Sequence, residues 1–267
     1  DINNDGHLDI FTTDMLPEED FRLKTTTRFE DYDVHNAKTQ SDFHHQLTSN
    51  CLQLNNGDGT FSEIAQLAGV DATDWSWGAL MFDADNDGFN DLYVCNGIFN
   101  DVTDQDFIDF FANDVVQQMV LTGKKEQFDQ IIAKMPSRPI PNLAFRNLGN
   151  LKFEESDAKW GFDKPSFSNG AAYGDLDNDG DLDLIVNNVN QPAFIYRNNS
   201  REKHPENHYI GFKLKGHAPN TYAVGSVVSA YVGGQILNRQ LIPSRGFQSS
   251  IDYKIVLGLG KNTRVDS

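Results

Sequence analysis

Cysteine is scarce in this chain, basic residues are few, and long apolar runs are absent. Two cysteines in 267 residues, Cys51 and Cys95, are too few for a disulfide scaffold, so two separate buried thiols are expected. No stretch approaches the ~20 consecutive apolar residues of a membrane-spanning helix, and no membrane span is expected. Only 22 basic residues stand against 39 acidic ones, a formal net charge of −17. That balance excludes nucleic acid as the partner, because neutralising phosphate needs a basic face. A secretory leader is also missing from the sequence. It opens on Asp1, which reads as the first ligand of a loop, so the chain is expected to be a fragment of a longer one.

What the sequence does contain is a repeated acidic nonamer. Asp175-Leu176-Asp177-Asn178-Asp179-Gly180-Asp181-Leu182-Asp183 places carboxylates at alternate positions and is followed by the apolar run Leu184-Ile185-Val186. The same grammar recurs from Asp83 to Asp91, before Leu92-Tyr93-Val94, and from Asp1 to Asp9, before Ile10-Phe11. Twelve of the chain's acidic residues lie in these three stretches. Like charges packed so closely repel unless a hard cation sits among the oxygens, and Ca²⁺ takes roughly six to eight oxygen ligands in a flexible shell. Up to three Ca²⁺ ions are therefore expected. Positions one, three and five would offer side-chain oxygens: Asp1, Asn3 and Asp5; Asp83, Asp85 and Asp87; Asp175, Asp177 and Asp179. Position seven (His7, Phe89, Asp181) would give its backbone carbonyl, and position nine (Asp9, Asp91, Asp183) a closing carboxylate. The glycine at position six permits the sharp turn.

An EF-hand does not fit. It needs a glutamate at loop position twelve and flanking helices, whereas position twelve is Thr12, Val94 and Val186 and the flanks are β-branched or aromatic. These are strand–loop–strand sites. The metal is expected to be structural, since a catalytic ion needs an open coordination position and nearby acid–base groups that the nonamers lack.

The first aspartates of the loops stand 82 and 92 residues apart, which leaves room for insertions. Residues 17–46 read as a polar, irregular insertion with His35, His44 and His45. Residues 98–142 hold a second one, in which Phe107, Ile108, Phe111, Val115 and Met119 mark one helical face, with Thr103 or Asp104 as N-cap and Gly123 as stop. Another helix is expected over 124–134, before Pro136. Asn/Asp/Gly turns at 55–59 and 147–150 join alternating apolar runs and predict hairpins. Each unit thus reads strand, acidic loop, strand, optional insertion, hairpin, or four short strands, the plan of a propeller blade. From about residue 207 the repeat gives way to further strands: 209–214, then 227–232 joined through Gly233-Gly234 to 235–242, then 254–260. The expected fold is all-β: a partial β-propeller of two to three blades over 1–206 with a helical insertion, and a C-terminal β segment over 207–267.

With Gly-Ala entry strands and the Asn-Asn-Gly-Asp-Gly-Thr-Phe hairpin, the nonamers resemble the FG-GAP/VCBS repeats of integrin-α-like β-propellers. The tail motifs Val224-Gly225-Ser226-Val227-Val228, Pro243-Ser244-Arg245-Gly246-Phe247-Gln248 and Leu257-Gly258-Leu259-Gly260 resemble the ASPIC/UnbV domain. Together they are similar to secreted proteins of the cartilage acidic protein type, a group abundant also in Bacteroidetes. The resemblance implies a calcium-stabilised propeller at the cell surface or in the extracellular space. It departs in two respects: Asn3 replaces an aspartate in the first loop, and a family propeller has about seven blades. The remaining blades are expected from missing sequence or another chain.

The functional expectation is a non-catalytic binding or scaffold protein, with a protein or glycan partner at the insertion-bearing rim, as in an adhesion or nutrient-uptake assembly. A polysaccharide lyase or hydrolase using His44 or His45 as base is the alternative. Adjacent histidines in a strand point to opposite sides and would not chelate one ion. Ser226 and Ser244 lack a nucleophile-elbow setting. Trp75, Trp77 and Trp160 read as core filling rather than a sugar platform.

Overall fold

The structure, a computed structural model, describes residues 1–26, 31–44, 47–123 and 132–267. His45 and most of the helix expected over 124–134 lie outside the described residues. Every strand pairing is antiparallel. The first sheet holds β1 (Ile10–Thr12), β2 (Cys51–Asn55) and β3 (Phe61–Glu63) in that order. The second holds β4 (Ser76–Phe82), β5 (Asp91–Asn96), β6 (Leu143–Asn147) and β7 (Phe153–Glu155). In the third, β9 (Asp183–Asn188) lies between β8 (Ser168–Gly174) and β10 (Phe194–Tyr196).

Among the described residues, four strands per unit are thus reached only in the second sheet. The first holds three, β1-β2-β3. The third lacks a fourth because the chain after β10 turns through a short helix, Ser200–Lys203, into the tail. There β11 (His208–Lys213) pairs with β14 (Lys254–Gly260), and β12 (Val227–Val232) forms a hairpin with β13 (Gln235–Gln240). Gly233 and Gly234, at φ +57° and +87°, give the two-residue turn its double left-handed backbone.

The middle sheet is covered on both faces, which explains its unbroken apolar strands. Leu92, Leu143 and Phe145 pack with Ile2, Leu52 and Val70 of the first sheet's side. Tyr93, Cys95 and Ala144 pack with Ala171, Leu184 and Val186 of the third. In β14 the strand alternation divides the work: Ile255, Leu257 and Leu259 fill the tail core while Val256 joins the core between the second and third sheets. Burying a side chain of this size stabilises by about 1.5–3 kcal/mol. Both cysteines are free, Cys95 buried and Cys51 half-buried.

The insertions depart from expectation. The first is not irregular but carries two helices, α1 (Asp20–Thr26) and α2 (Tyr32–Gln40). Asp31 caps α2 by accepting from Asp33 N, and none of the helix's side chains is buried, so no apolar stripe announces it. In the second insertion, helix Gln105–Phe110 passes through a π-helical turn, Phe111–Val115, into helix Val116–Thr122, ending at left-handed Gly123. Phe107, Phe111, Val115 and Met119 recur every four residues, and a wider turn keeps such a spacing on one face where a 3.6-residue helix would let it drift. Ile108 falls off that face and is exposed. Arg22 of α1 ties both insertions to the sheets. Its Nε and Nη2 meet both Asp74 oxygens at 3.0 Å, and its Nη1 meets Asp101 at 2.6 Å.

Candidate metal centres

The three nonamers occupy the same place in successive sheets, the second and third each joining one strand to its antiparallel neighbour. Asn4, Asn86 and Asn178, at position four, all take left-handed backbone with φ near +60°. Position nine is fixed alike in every loop: one oxygen accepts the N–H of position two and the other the N–H of an asparagine on a following strand. For Asp9 the donors are Ile2 and Asn55, both at 2.8 Å. For Asp91 they are Ala84 at 2.9 Å and Asn147 at 2.8 Å, and for Asp183, Leu176 at 2.9 Å and Asn198 at 2.8 Å. Position-nine aspartates thus latch the loop shut.

Position one shows what the loops leave unmet. Asp1, Asp83 and Asp175 are all buried, and Asp1 Oδ1 and Asp175 Oδ1 have no donor within reach. Asn3 Oδ1 is orphaned in the same way. A buried acceptor without a donor costs about 1–3 kcal/mol, and a hard cation would satisfy it. Facing carboxylate oxygens of Asp83, Asp85 and Asp91 gather within 4.8 Å of one another, as do those of Asp175, Asp177 and Asp179. The residues therefore fit an oxygen-liganded divalent cation. Burial and the mutual repulsion of the carboxylates push Asp83 up to about 8 and Asp87 to about 6, and hold Asp91 well above the ordinary range.

The position-seven side chains make different contacts in the three loops. His7 and Phe89 lie over the hairpin glycines Gly57 and Gly149, so close that a Cβ there would meet them at 2.8 and 2.9 Å. Asp181 instead accepts from Arg201 N and Asn86 Nδ2, both at 2.8 Å.

Sequence reasoning missed the cations that share these loops. Arg146 Nε donates to Asp85 at 2.7 Å and its Nη2 to Asp87 at 3.0 Å. Arg197 bridges Asp177 at 2.9 Å and Asp179 at 3.5 Å. Each arginine directly precedes the asparagine that latches position nine. In the first loop Leu54 stands there, where Asn3 also replaces a carboxylate. Positions one, three, five and nine of each loop plus this companion thus sum to the same charge, −3, from three carboxylates or from four and an arginine, with Asp181 adding a fifth carboxylate in the third loop. The threefold recurrence of Leu54-Asn55, Arg146-Asn147 and Arg197-Asn198 is the signal that would have found them.

The loops also hold each other and the tail. Asn4 Nδ2 reaches Gly88 O at 3.1 Å, and Asn86 Nδ2 reaches Gly180 O at 3.3 Å. Asn147 Nδ2 meets Ile2 O and Asn198 Nδ2 meets Ala84 O, at 2.8 and 2.7 Å. From the tail, Asn238 Nδ2 donates to Gly6 O at 2.6 Å, Gly260 N to Asn86 O at 3.0 Å, and Lys254 pairs with Asp175. Tyr209 lies against Gly180.

Residues 1–94 match the FG-GAP-like repeat family, and residues 216–267 match the ASPIC and UnbV family. The chain carries an FG-GAP-like repeat and an ASPIC and UnbV segment. No curated protein matches it. The FG-GAP-like match takes in the first two loops whole, while the third rests on its geometry. The ASPIC and UnbV match begins after β11, although β11 pairs with β14 inside it. His44 is exposed, and the described residues hold no helix long and apolar enough to cross a membrane.

Proposed function

We propose that this chain is a calcium-stabilised, non-catalytic binding or scaffold module exposed outside the cytoplasm. Its three sheets are consecutive blades of a propeller-like array, and its paired insertions form the partner surface. The observation that carries the reading is the threefold acidic loop, in whose first and third copies the buried position-one Oδ1 lacks any donor. Ca²⁺ bound there would supply a hard positive charge that satisfies these oxygens and cancels carboxylate repulsion. Asp1, Asn3 and Asp5, Asp83, Asp85 and Asp87, and Asp175, Asp177 and Asp179 would hold the ions with side-chain oxygens, and His7, Phe89 and Asp181 with carbonyls. Asp9, Asp91 and Asp183 keep each loop closed.

Function collects on loops carried by a rigid scaffold. Arg22 and the Arg138–Glu19 pair at 3.2 Å join the insertions to each other. They expose Phe21, Tyr32, Phe43 and Leu121, apolar surface suited to a protein or glycan partner. Calorimetric titration of chelator-treated protein should give saturable Ca²⁺ binding, and calcium should raise the melting temperature. Equal melting in chelator and in millimolar Ca²⁺ would refute the metal reading. A glycan turnover screen in which wild type acts and His44→Ala does not would refute the non-catalytic one.

A further inference from the structure

The π-helical turn that keeps Phe107, Phe111, Val115 and Met119 on one face lines up their neighbours as well. Ile108, Val116 and Val120 each stand one residue beyond a member of that row, so they form a second apolar column beside the first. This column is uncovered. Its three side chains are 38%, 42% and 78% exposed, and Leu121 beside them is 83% exposed. Single apolar residues in water are ordinary, whereas several in line on one helix mark a contact surface.

Charge indicates what it would contact. From Asp101 to Gly123 there are five aspartates and no basic residue, and Asp106, Asp109 and Asp114 are exposed. Outside the acidic loops and the two insertions the chain is balanced, with 13 acidic residues against 14 basic ones, whereas the insertions hold 14 against eight. The chain's own cations already settle on rings of these insertions: Lys134 Nζ lies 5.0 Å over Phe110 and Arg138 Cζ 5.5 Å over Phe21. We propose that the helical segment Gln105–Thr122 docks a basic amphipathic helix of a partner protein. Its apolar side chains lie along Ile108, Val116 and Val120, and its lysines or arginines face the aspartates. The assignment rests on the reading of the insertions as the partner surface and narrows it. An aliphatic column in steps of four matches a helix whose apolar residues recur every three or four positions. Opposite charge then steers encounter and fixes the register. Anionic lipid surfaces attract basic segments and so repel this one.

The whole chain, in millimolar Ca²⁺ so that the acidic loops are neutralised, is titrated calorimetrically with an amphipathic leucine–lysine helical peptide of about 18 residues. Saturable binding supports the site when it is absent for the same peptide with glutamate for lysine, and for one with serine for leucine. Val120→Ser/Leu121→Ser and, separately, Asp106→Asn/Asp109→Asn should each weaken it about tenfold. All four side chains are exposed, so the fold is not at stake. Asp58→Asn/Asp163→Asn, exposed but outside the insertions, should leave the affinity unchanged. Equal binding of either altered peptide, unchanged affinity in both insertion variants, or an equal loss in the Asp58/Asp163 variant would each overturn the proposal. Absence of saturation with the leucine–lysine peptide overturns it too. If the glutamate peptide or maltohexaose then binds, and less well after Val120→Ser/Leu121→Ser, the insertion surface stands and only its basic partner falls.

Discussion

Replacing Arg146 with leucine copies into the second loop what the first already has at Leu54. In wild type the guanidinium bridges Asp85 and Asp87 at 2.7 and 3.0 Å with 38% of its side chain exposed. Charge-assisted hydrogen bonds contribute about 1.5–3 kcal/mol when sheltered, and exposed pairs about 0–1. A half-sheltered fork therefore accounts for about 1–2 kcal/mol. Unfolding entropy of about 2.1 cal/mol/K per residue makes 1 kcal/mol worth roughly 2 °C in a chain of this length. In chelator, Arg146→Leu should melt about 2–4 °C below wild type, because two repelling carboxylates lose their counter-charge. In saturating Ca²⁺ the deficit should vanish or reverse, since a dication takes over that task and no longer meets a competing cation. Calcium affinity of the second loop should rise about tenfold, equivalent to about 1.4 kcal/mol. Scanning calorimetry in both buffers, with isothermal titration, measures each quantity. An identical drop in chelator and in calcium, with unaltered affinity, would refute the counter-ion role.

Further outcomes follow from the same geometry. Asp83, at about 8, and Asp91 are raised above the unfolded value near 3.8, so the chelated fold holds extra protons, and its melting temperature should fall as pH climbs from about 4 to 8. With calcium the sign inverts, because binding needs both ionised and expels their protons; a flat or rising profile in chelator would contradict this. Gly180→Ala should cost at least about 2 kcal/mol more than Gly59→Ala. Both glycines have φ near +90°, but a Cβ at 180 enters the Tyr209 ring whereas one at 59 meets nothing within 4 Å, and equal losses in denaturant titration would show the ring contact to be slack. Asp179→Ala should remove one ion from the calcium stoichiometry and lower the melting point in Ca²⁺, while Asp157→Ala changes neither; matching titrations would discount the third loop.

The loops were legible in sequence because their ligands sit within nine residues, and the hairpins because Asn/Gly turns announce themselves. Such local grammar needs no tertiary information. The bonds from Asn4 to Gly88 and from Asn86 to Gly180 span 84 and 94 residues, distances over which spacing says nothing. Arg146, on a strand, reads as a solvated charge until folding brings Asp85 beneath it. The helix Tyr32–Gln40 stayed hidden because no part of it is buried, and without a dry face there is no period to detect. In the second insertion the pattern was visible but its cause was not: a repeat of four residues signals a π-helical turn only once the backbone is known.

Asn238 and Gly6 join across 232 residues, so one partner of this bond is made long after the other. A nascent chain displays its first acidic turn long before the strand that will cover it exists. Closing so long a loop is entropically slow, so the β12–β13 hairpin sets the moment at which the first acidic loop is finally locked.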